Sequence, residues 1–598
     1  MLPAMARRGP DGEGYHGWSA PRSATGFGHR RLAILDLSPA GAQPMLSSDG
    51  SVGVVFNGCI YNFHEIRAEL ERLGRSFRSQ CDTEILIEGY LEWGIDNLLP
   101  RLHGMFAVAI WDAPKQRLSL ARDRLGVKPL IYRISDGNIA FASTLQALKG
   151  IGFPAEIDPA SVLEFLDVGF VTEERSILKG TRKLPPGSVL IWQDGKATER
   201  TYWSLPRFGQ DQSLRFEDAV QETERLLIEA VRLRLVSDVP IGALLSGGID
   251  STLVCWALSK LGANIHTFTV GTPGDPADES HDARDIAHRL GIPHEVVQLD
   301  TNQPPPLEEL VDAYSEPFAS TSALGMLRVS QAVRPKATVL LTGDGGDDVY
   351  LGYPFFFNAW RAQKIARAVP GFTPALYGAL RPVFSALPQL KRARSLLDYA
   401  MGGIGAYGRV RIGLPYYNEN QMFGERLRGG TVAHREVPPS FESARNLVAD
   451  VFSFHKRMHF TSEFMTKVDG GAMYHSLEAR APFLDQKLWE FASRVPPEVH
   501  FHGGKYKAIL REIVRRHVGE DVAFRRKQGF TVPVERWLAT KWSGRLAELK
   551  GETLLAGQGW FDRKQLSAAI DRALKQDEIP LQLWYVLVLE SWLRKAAK

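Results

Sequence analysis

Cysteine is nearly absent. Cys59, Cys81 and Cys255 are the three in 598 residues. They are scattered, with no metal-ligand spacing, so neither a disulfide framework nor a cysteine-held metal is expected, and a reducing, cytoplasmic setting is. Long apolar runs are missing too, which argues against a membrane span. The opening Met1-Leu2-Pro3-Ala4-Met5-Ala6-Arg7-Arg8-Gly9-Pro10 lacks the apolar core of a signal peptide. The formal net charge of +4 is too slight to argue for nucleic acid or an acidic membrane. Short-period repeats and low-complexity tracts are absent. What remains is an ordinary globular composition, 44% hydrophobic and 23% charged, with length for about two to four domains.

The most informative stretch is Leu244-Leu245-Ser246-Gly247-Gly248-Ile249-Asp250-Ser251. Apolar residues Ile241 to Leu245 read as a buried strand, and Thr252 to Leu261 as a helix stopped by Gly262. A Ser/Gly-rich turn between a strand and a helix N-terminus favours an anion through free N–H groups and the helix dipole. Asp250 adds a carboxylate that a phosphate alone would not want, so a bridging Mg²⁺ is the natural reading. The Gly-Lys-Ser/Thr ending of a Walker A loop is missing. An ordinary turn with a capping serine is the alternative.

Around this loop the pattern alternates. A long helix, Phe216 to Val236, precedes it. A strand (Ile265 to Val270), a helix (Glu279 to Leu290, ended by Gly291) and a strand (Glu295 to Leu299) follow it. This βαβαβ order predicts a parallel sheet with flanking helices and ligands beyond the strands' carboxyl ends, at Leu244, Val270 and Thr342-Gly343. The strand Thr338 to Leu341 runs into Thr342-Gly343-Asp344-Gly345-Gly346-Asp347-Asp348. Three carboxylates on a glycine-rich turn repel one another unless a cation sits among them.

The first third reads differently. Strands are expected at Gly28 to Asp36, Val52 to Phe56, Gly104 to Asp112, Arg117 to Asp123 and Ile139 to Ala142, with Asn57-Gly58 as a tight-turn signal. Helices are expected at Phe63 to Leu73 and from Asp82 onward, Asp82 being the N-cap. Many short strands with two long helices suggest an α+β layered sandwich. Trp203 to Gln212 reads as a linker. Residues 355–460 suggest only helices and loops.

The ordered stretches RRGPDG, GHRRLAILDLS, GAQPM, FNGCIYN, SQCDTE, LHGMFAVAIWD and ARDRLGVKPL resemble the glutamine amidotransferase domain of the class that uses an N-terminal nucleophile. SGGIDS, TGDGGDD, SEPFASTS, KVDGGAM, SLEARAPFLD and RRKQGFTVP resemble the synthetase half of the glutamine-hydrolysing asparagine synthetase family, bacterial two-domain type. The resemblance implies an α+β Ntn-hydrolase-like four-layer sandwich over residues 1–205. Over 215–598 it implies a C-terminal α/β parallel-sheet ATP pyrophosphatase (PP-loop) domain.

By the same resemblance, Arg31, Asn57, Gly58 and Asp82 would hold the α-carboxylate, amide and α-amine of glutamine. Leu244, Ser246, Gly247, Gly248, Asp250, Ser251, Val270, Thr342 and Gly343 would hold ATP, with Asp250 and Asp347 on Mg²⁺. Asp344 takes the place of a glutamate that steers or deprotonates the incoming amine, and Lys527 would stabilise phosphate charge. The implied reaction is ATP-dependent amidation of a carboxylate, L-aspartate to L-asparagine, through an acyl-adenylate. The nitrogen would come from glutamine or free ammonia.

Four departures are visible. The family needs cysteine as residue 1 of the mature chain, whereas this one begins Met1-Leu2, and Cys59 stands where the family has Glu. Gly470 replaces the Arg of KVDRASM. Ser315 and Ser320 replace two aspartates of DEPFADPS. The turn-rich RRGPDG arrives almost at once, so the expectation is a segment upstream of Met1; real loss of glutaminase activity is the other reading. The serines leave open another acceptor, a sugar uronate or a β-lactam precursor, and a non-catalytic relative is the remaining class. Small-molecule substrates are expected and nucleic acid and membrane partners are not; a homodimer is left open.

Overall fold

The structure is a computed structural model, and it describes residues 1–20, 23–152, 155–272, 278–298, 304–371, 373–385, 391–407, 413–432, 444–525 and 532–596. The front half contains β1 (Gly12–Ala20), β2 (Ser23–Arg31), β3 (Met45–Leu46), β4 (Val52–Ile60), α1 (Phe63–Arg72), α2 (Thr83–Leu98), β5 (Gly104–Asp112) and β6 (Arg117–Arg122). It continues with β7 (Ile131–Ser135), β8 (Asn138–Ala142), α3 (Leu145–Lys149), α4 (Pro159–Val168), β9 (Thr181–Lys183), β10 (Ser188–Gln193) and β11 (Lys196–Thr201).

Six strands form one sheet in the order β11-β10-β6-β5-β4-β3, three form β8-β7-β9, and β1-β2 is a separate hairpin. β5 explains the layering. Its residues alternate, as a strand's must. Phe106, Val108 and Ile110 pack with Ile66, Leu70, Ile85 and Leu86 of α1 and α2. Ala107, Ala109 and Trp111 pack with Phe27, Leu130 and Tyr132 across the second layer. The far face of that layer meets α3 and α4 through Ile131, Ala140, Leu145, Val162 and Phe165. The result is a four-layer helix–sheet–sheet–helix sandwich.

Two expectations change here. Asn57-Gly58 is no turn. β4 runs on to Ile60, and Asn57 and Gly58 pair with Ala107 and Phe106 of β5. Gly58 has φ +149, and a Cβ there would overlap the Met105 carbonyl oxygen, so glycine serves a close strand approach rather than a reversal. The strand expected at Gly28 to Asp36 lies earlier, as the second arm of the β1–β2 hairpin: its pairing ends at Arg31 opposite Gly12, and the Arg31 side chain binds the loop that follows.

The back half contains α5 (Phe216–Leu233), β12 (Ile241–Leu244), α6 (Ile249–Lys260), β13 (His266–Gly271), α7 (Ser280–Leu290), β14 (His294–Gln298), α8 (Leu307–Tyr314), α9 (Thr321–Val333), β15 (Val339–Leu341), α10 (Gly346–Val349), α11 (Pro354–Ala368) and, much later, β16 (Glu478–Arg480). The sheet is parallel throughout, in the order β14-β13-β12-β15-β16. Gly262 and Gly291 end α6 and α7 with φ of +65 and +64, the left-handed C-terminal role read from the sequence. The chain steps outward from β12 on one side and returns through β15 on the other. That makes β12/β15 the topological switch point, where such sheets open a crevice for ligand.

Among the described residues, no helix is long and apolar enough to cross a membrane.

Candidate active site

The switch point is built from two tight turns. After β12 the loop folds on Ser246 and Ser251: their hydroxyls lie 2.8 Å apart, and the Ser246 N–H donates to Ser251 Oγ at 3.0 Å. The Gly248 N–H donates to Ser246 Oγ at 3.1 Å. Gly248 is the N-cap of α6, and no side chain caps that helix, so its first turn keeps N–H groups for an anion. After β15, Thr342 and Gly343 lead into the acidic turn. A Cβ on Gly343 would lie 2.8 Å from the Ser251 nitrogen, and one on Gly346 2.5 Å from Asp250 Oδ1. The two turns therefore touch through glycine. Val270 is the penultimate residue of β13, and Thr342 Oγ1 is buried with no hydrogen-bond partner among the described residues.

Asp250 and Asp347 converge, and the cation between them is Lys507. Its Nζ lies 2.5 Å from Asp250 Oδ2 and 2.7 Å from Asp347 Oδ1. Burial alone would lower the Lys507 pKa; the two carboxylates outweigh it and raise it. Lys507 sits at φ +54, a conformation rare for a side-chain-bearing residue, as the N-cap of the helix Ala508–His517. A Cβ on Gly352 would overlap both Asp347 Oδ1 and Lys507 Cε. The acidic turn, expected to need a cation among its three carboxylates, has a lysine from a distant helix against one of them, Asp347, and that lysine bridges it to Asp250 on α6. Asp348 turns away to His455 Nε2 at 2.8 Å. Asp344 is half-buried on the turn between them.

Sequence reasoning missed Lys507. Its helix begins at Ala508, and the pairing spans 257 residues. The adjacent Arg511, one turn on, was the available signal: two basic residues at helical spacing. Lys527 lies outside the described residues.

Among the described residues no group of three or more His, Cys, Asp or Glu gathers as a metal cage. Two converging carboxylates without a third protein ligand fit Mg²⁺ in the manner of phosphate-transfer sites, where the ion takes its other oxygens from phosphate and water.

The front half carries a cavity of about 680 Å³, lined by Arg31, Asn57, Gly58 and Asp82 together with Met1 and Leu2. The four residues expected to hold glutamine are thus brought to one space. The Arg31 guanidinium is fixed by loop carbonyls: Ser38 at 3.0 Å, Leu35 at 3.2 Å, and Asp36. The buried Asn57 Nδ2 has no partner among the described residues. Asp82 is the positional N-cap of α2, but its side chain caps nothing. Its carboxylate instead accepts the Ile60 N–H at 2.8 Å, which corrects the capping role read from the sequence and ties the residue to the cavity wall. Burial pushes its pKa up to about 6. Cys59 is buried beside Arg480, and burial pushes its thiol up, so it is not a reactive thiolate.

Comparison with known proteins agrees with both halves. The asparagine synthase family model matches residues 222–594, and the glutamine amidotransferase domain model matches residues 1–203. The chain is 28% identical over 607 residues to asparagine synthetase (glutamine-hydrolyzing) 1 of Bacillus subtilis strain 168, covering 99% of this chain and 92% of that protein. It is 30% identical over 627 residues to a putative glutamine-hydrolyzing asparagine synthetase of Mycobacterium tuberculosis strain H37Rv, covering 98% and 92%. It is also 28% identical over 633 residues to amidase chry2 of Gibberella zeae, covering 96% and 91%.

Proposed function

Because the chain belongs to the asparagine synthase family of ATP-using ligases, we propose that it amidates L-aspartate to L-asparagine through an acyl-adenylate. Residues 215–598 form the synthetase unit and residues 1–205 the amidotransferase unit. The observation that carries the reading is Lys507 held between Asp250 and Asp347 where the two turns meet.

The chemistry follows from charge. A carboxylate must approach the α-phosphorus of a polyanion, so the site has to supply positive potential in advance. The open N-terminus of α6 and the Ser246 and Ser251 hydroxyls, held in place by the loop's own hydrogen bonds, cradle the pyrophosphate end of ATP. Leu244, Val270, Thr342 and Gly343 receive the adenosine. Lys507 is fixed beside the departing phosphates, and its ammonium offsets the charge that grows on them as the carboxylate oxygen bonds to phosphorus and pyrophosphate leaves. Mg²⁺ held by Asp250 and Asp347 would supply further neutralisation of the phosphate oxygens. Ammonia then attacks the acyl carbon, Asp344 takes a proton from the incoming nitrogen, and AMP leaves with the acyl bond's electrons. Lys527 is proposed to assist on the phosphates. Nitrogen comes from glutamine in the front cavity, held by Arg31, Asn57, Gly58 and Asp82, or from free ammonia.

A second reading keeps the chemistry and changes the acceptor. Two curated relatives that match nearly the whole chain are amidases, chry2 and chyE, and serines stand at 315 and 320. Pyrophosphate release from ATP with ammonium and a panel of acids separates the two: stimulation by L-aspartate supports the first, and release with other acids but not aspartate sinks it.

A further inference from the structure

The formal net charge of +4 is not spread evenly along the chain. Between Asp348 and Asp398 there is no Asp or Glu, and the stretch holds Arg361, Lys364, Arg367, Arg381, Lys391, Arg392 and Arg394. These positive charges alone exceed the net charge of the whole chain, so the remainder is negative. They fall on α11 and on the two helices that follow it, α12 (Thr373–Ser385) and α13 (Lys391–Tyr407). Arg361 and Lys364 are exposed and stand three residues apart on one face of α11. Arg381 is exposed on α12. Like charges gathered without intervening acids favour an anionic surface.

α12 is also a helix that the fold leaves uncovered. None of its described residues joins an apolar cluster of the core. It is pinned through Asp398 of α13, which accepts the Tyr377 hydroxyl at 3.0 Å and the Arg381 Nε–H at 2.7 Å. Tyr377 is the inward residue, 9% exposed. The other side is apolar and open: Pro374, Ala375, Leu376, Gly378, Ala379 and Leu380 are all exposed. Leu376 and Leu380 lie one turn apart on the same face and are 52% and 45% exposed. A single exposed leucine needs no explanation, but a helix face of apolar residues with a basic edge does.

We propose that α12 and the basic residues of α11 and α13 form a docking surface for an anionic lipid bilayer. Leu376 and Leu380 enter the boundary between headgroups and acyl chains, and the arginines and lysines face the lipid phosphates. At 13 residues α12 is too short to span a membrane; an apolar face bordered by basic residues lies in the interface plane instead. A nucleic acid would use the same charges but leave the leucines in water. A second copy of the chain, paired through this face, would cover the leucines but set one basic patch against another.

The test is co-sedimentation of the full chain with vesicles of phosphatidylcholine, alone or mixed with phosphatidylglycerol. The mixed vesicles should bind it at least about tenfold more tightly, and about 0.5 M salt should release it. Leu376→Glu combined with Leu380→Glu should weaken that binding roughly tenfold or more. The melting temperature of this variant should stay at the parent value, since neither leucine packs in the core. Arg361→Glu combined with Lys364→Glu should weaken binding to the mixed vesicles and leave any binding to phosphatidylcholine alone unchanged. No binding to the mixed vesicles, equal binding to both compositions, or full binding by the leucine variant overturns the proposal. A dimeric parent that the leucine substitutions turn into a monomer, with vesicles unbound, assigns the face to a second copy and overturns it too. So does an RNA gel shift abolished by the Arg361 and Lys364 substitutions while vesicles stay unbound.

Discussion

At the scale of single residues, two ionisable groups carry most of the consequence. Lys507 is an ammonium buried against two carboxylates, and removing one member of such a cluster strands the others. Lys507→Met should therefore cost about 3–5 kcal/mol in stability and roughly 10²–10³-fold in pyrophosphate release. Lys507→Arg should not rescue it, because Gly352 packs against Lys507 Cε and leaves no room for a fork. Added Mg²⁺ should raise the melting temperature of Lys507→Met more than that of the parent, since the freed carboxylates then accept a cation; equal shifts would contradict the pairing. Asp82 acts in the opposite sense. Burial holds its pKa near 6, above the unfolded value of about 3.9. Its contribution to stability is full below the unfolded value and is lost as pH rises through 6. Asp82→Asn should flatten the stability profile between about pH 4 and 6, an effect on the order of 2–3 kcal/mol. A glutamine ammonium needs the ionised form, so calorimetric glutamine affinity should climb roughly tenfold per unit from pH 5 to 6 and level off above it.

At the scale of elements, the turns do what their glycines allow. Gly352→Ala drives a methyl into Asp347 and Lys507, both pinned by ion pairs, whereas a methyl at Gly262 meets open space and only a left-handed φ. Gly352→Ala should cost about 1–3 kcal/mol with near-complete loss of activity. Gly262→Ala should cost about 1 kcal/mol with activity kept; thermal melts paired with pyrophosphate assays distinguish them. The same contrast shows what was legible. The β12–loop–α6 unit, the end of α7 at Gly291 and the acidic turn after β15 could be read in advance, because local composition and hydrophobic period determine them. Asn57-Gly58 misled because a turn dipeptide and a close strand approach demand glycine for the same steric reason, and only the partner strand β5 decides between them. Asp82 misled because an N-cap position does not oblige the side chain to cap. Lys507 was hardly legible as a site residue: Arg511 one turn on hints at a basic helix start, but nothing near it in the chain records the carboxylates it meets.

At the scale of the whole molecule, the two halves are legible separately and their junction is not. The Trp203 to Gln212 stretch marks a change of pattern, but the contacts that join the halves link residues hundreds of positions apart. Asp469 receives Arg8 at 2.8 Å and Lys128 at 3.4 Å, across 461 and 341 residues. Asp485 receives His103 from the front half at 2.7 Å and Arg234 at 3.1 Å. One apolar cluster also runs without a break from Phe56 and Tyr90 of the front sandwich to Leu226, Trp256 and Ile513 around the parallel sheet. A shared core with buried ionic pins should unfold as one unit, so calorimetry should record a single cooperative transition. Asp469→Asn leaves Arg8 and Lys128 without their carboxylate and should lower stability by about 3–5 kcal/mol. The loss should change little with salt, because the side chains are at most 13% exposed and buried pairs are weakly screened. Acid should act through Asp485. Burial would raise its pKa, but His103 and Arg234 hold it far below the usual carboxylate range. Its contribution is therefore present above about pH 4, the unfolded value, and is lost as pH falls below it. The parent chain should begin to unfold there and Asp485→Asn should not show that onset. Two well-separated transitions in the parent at neutral pH would contradict the shared core and reduce the junction to a contact between independent units.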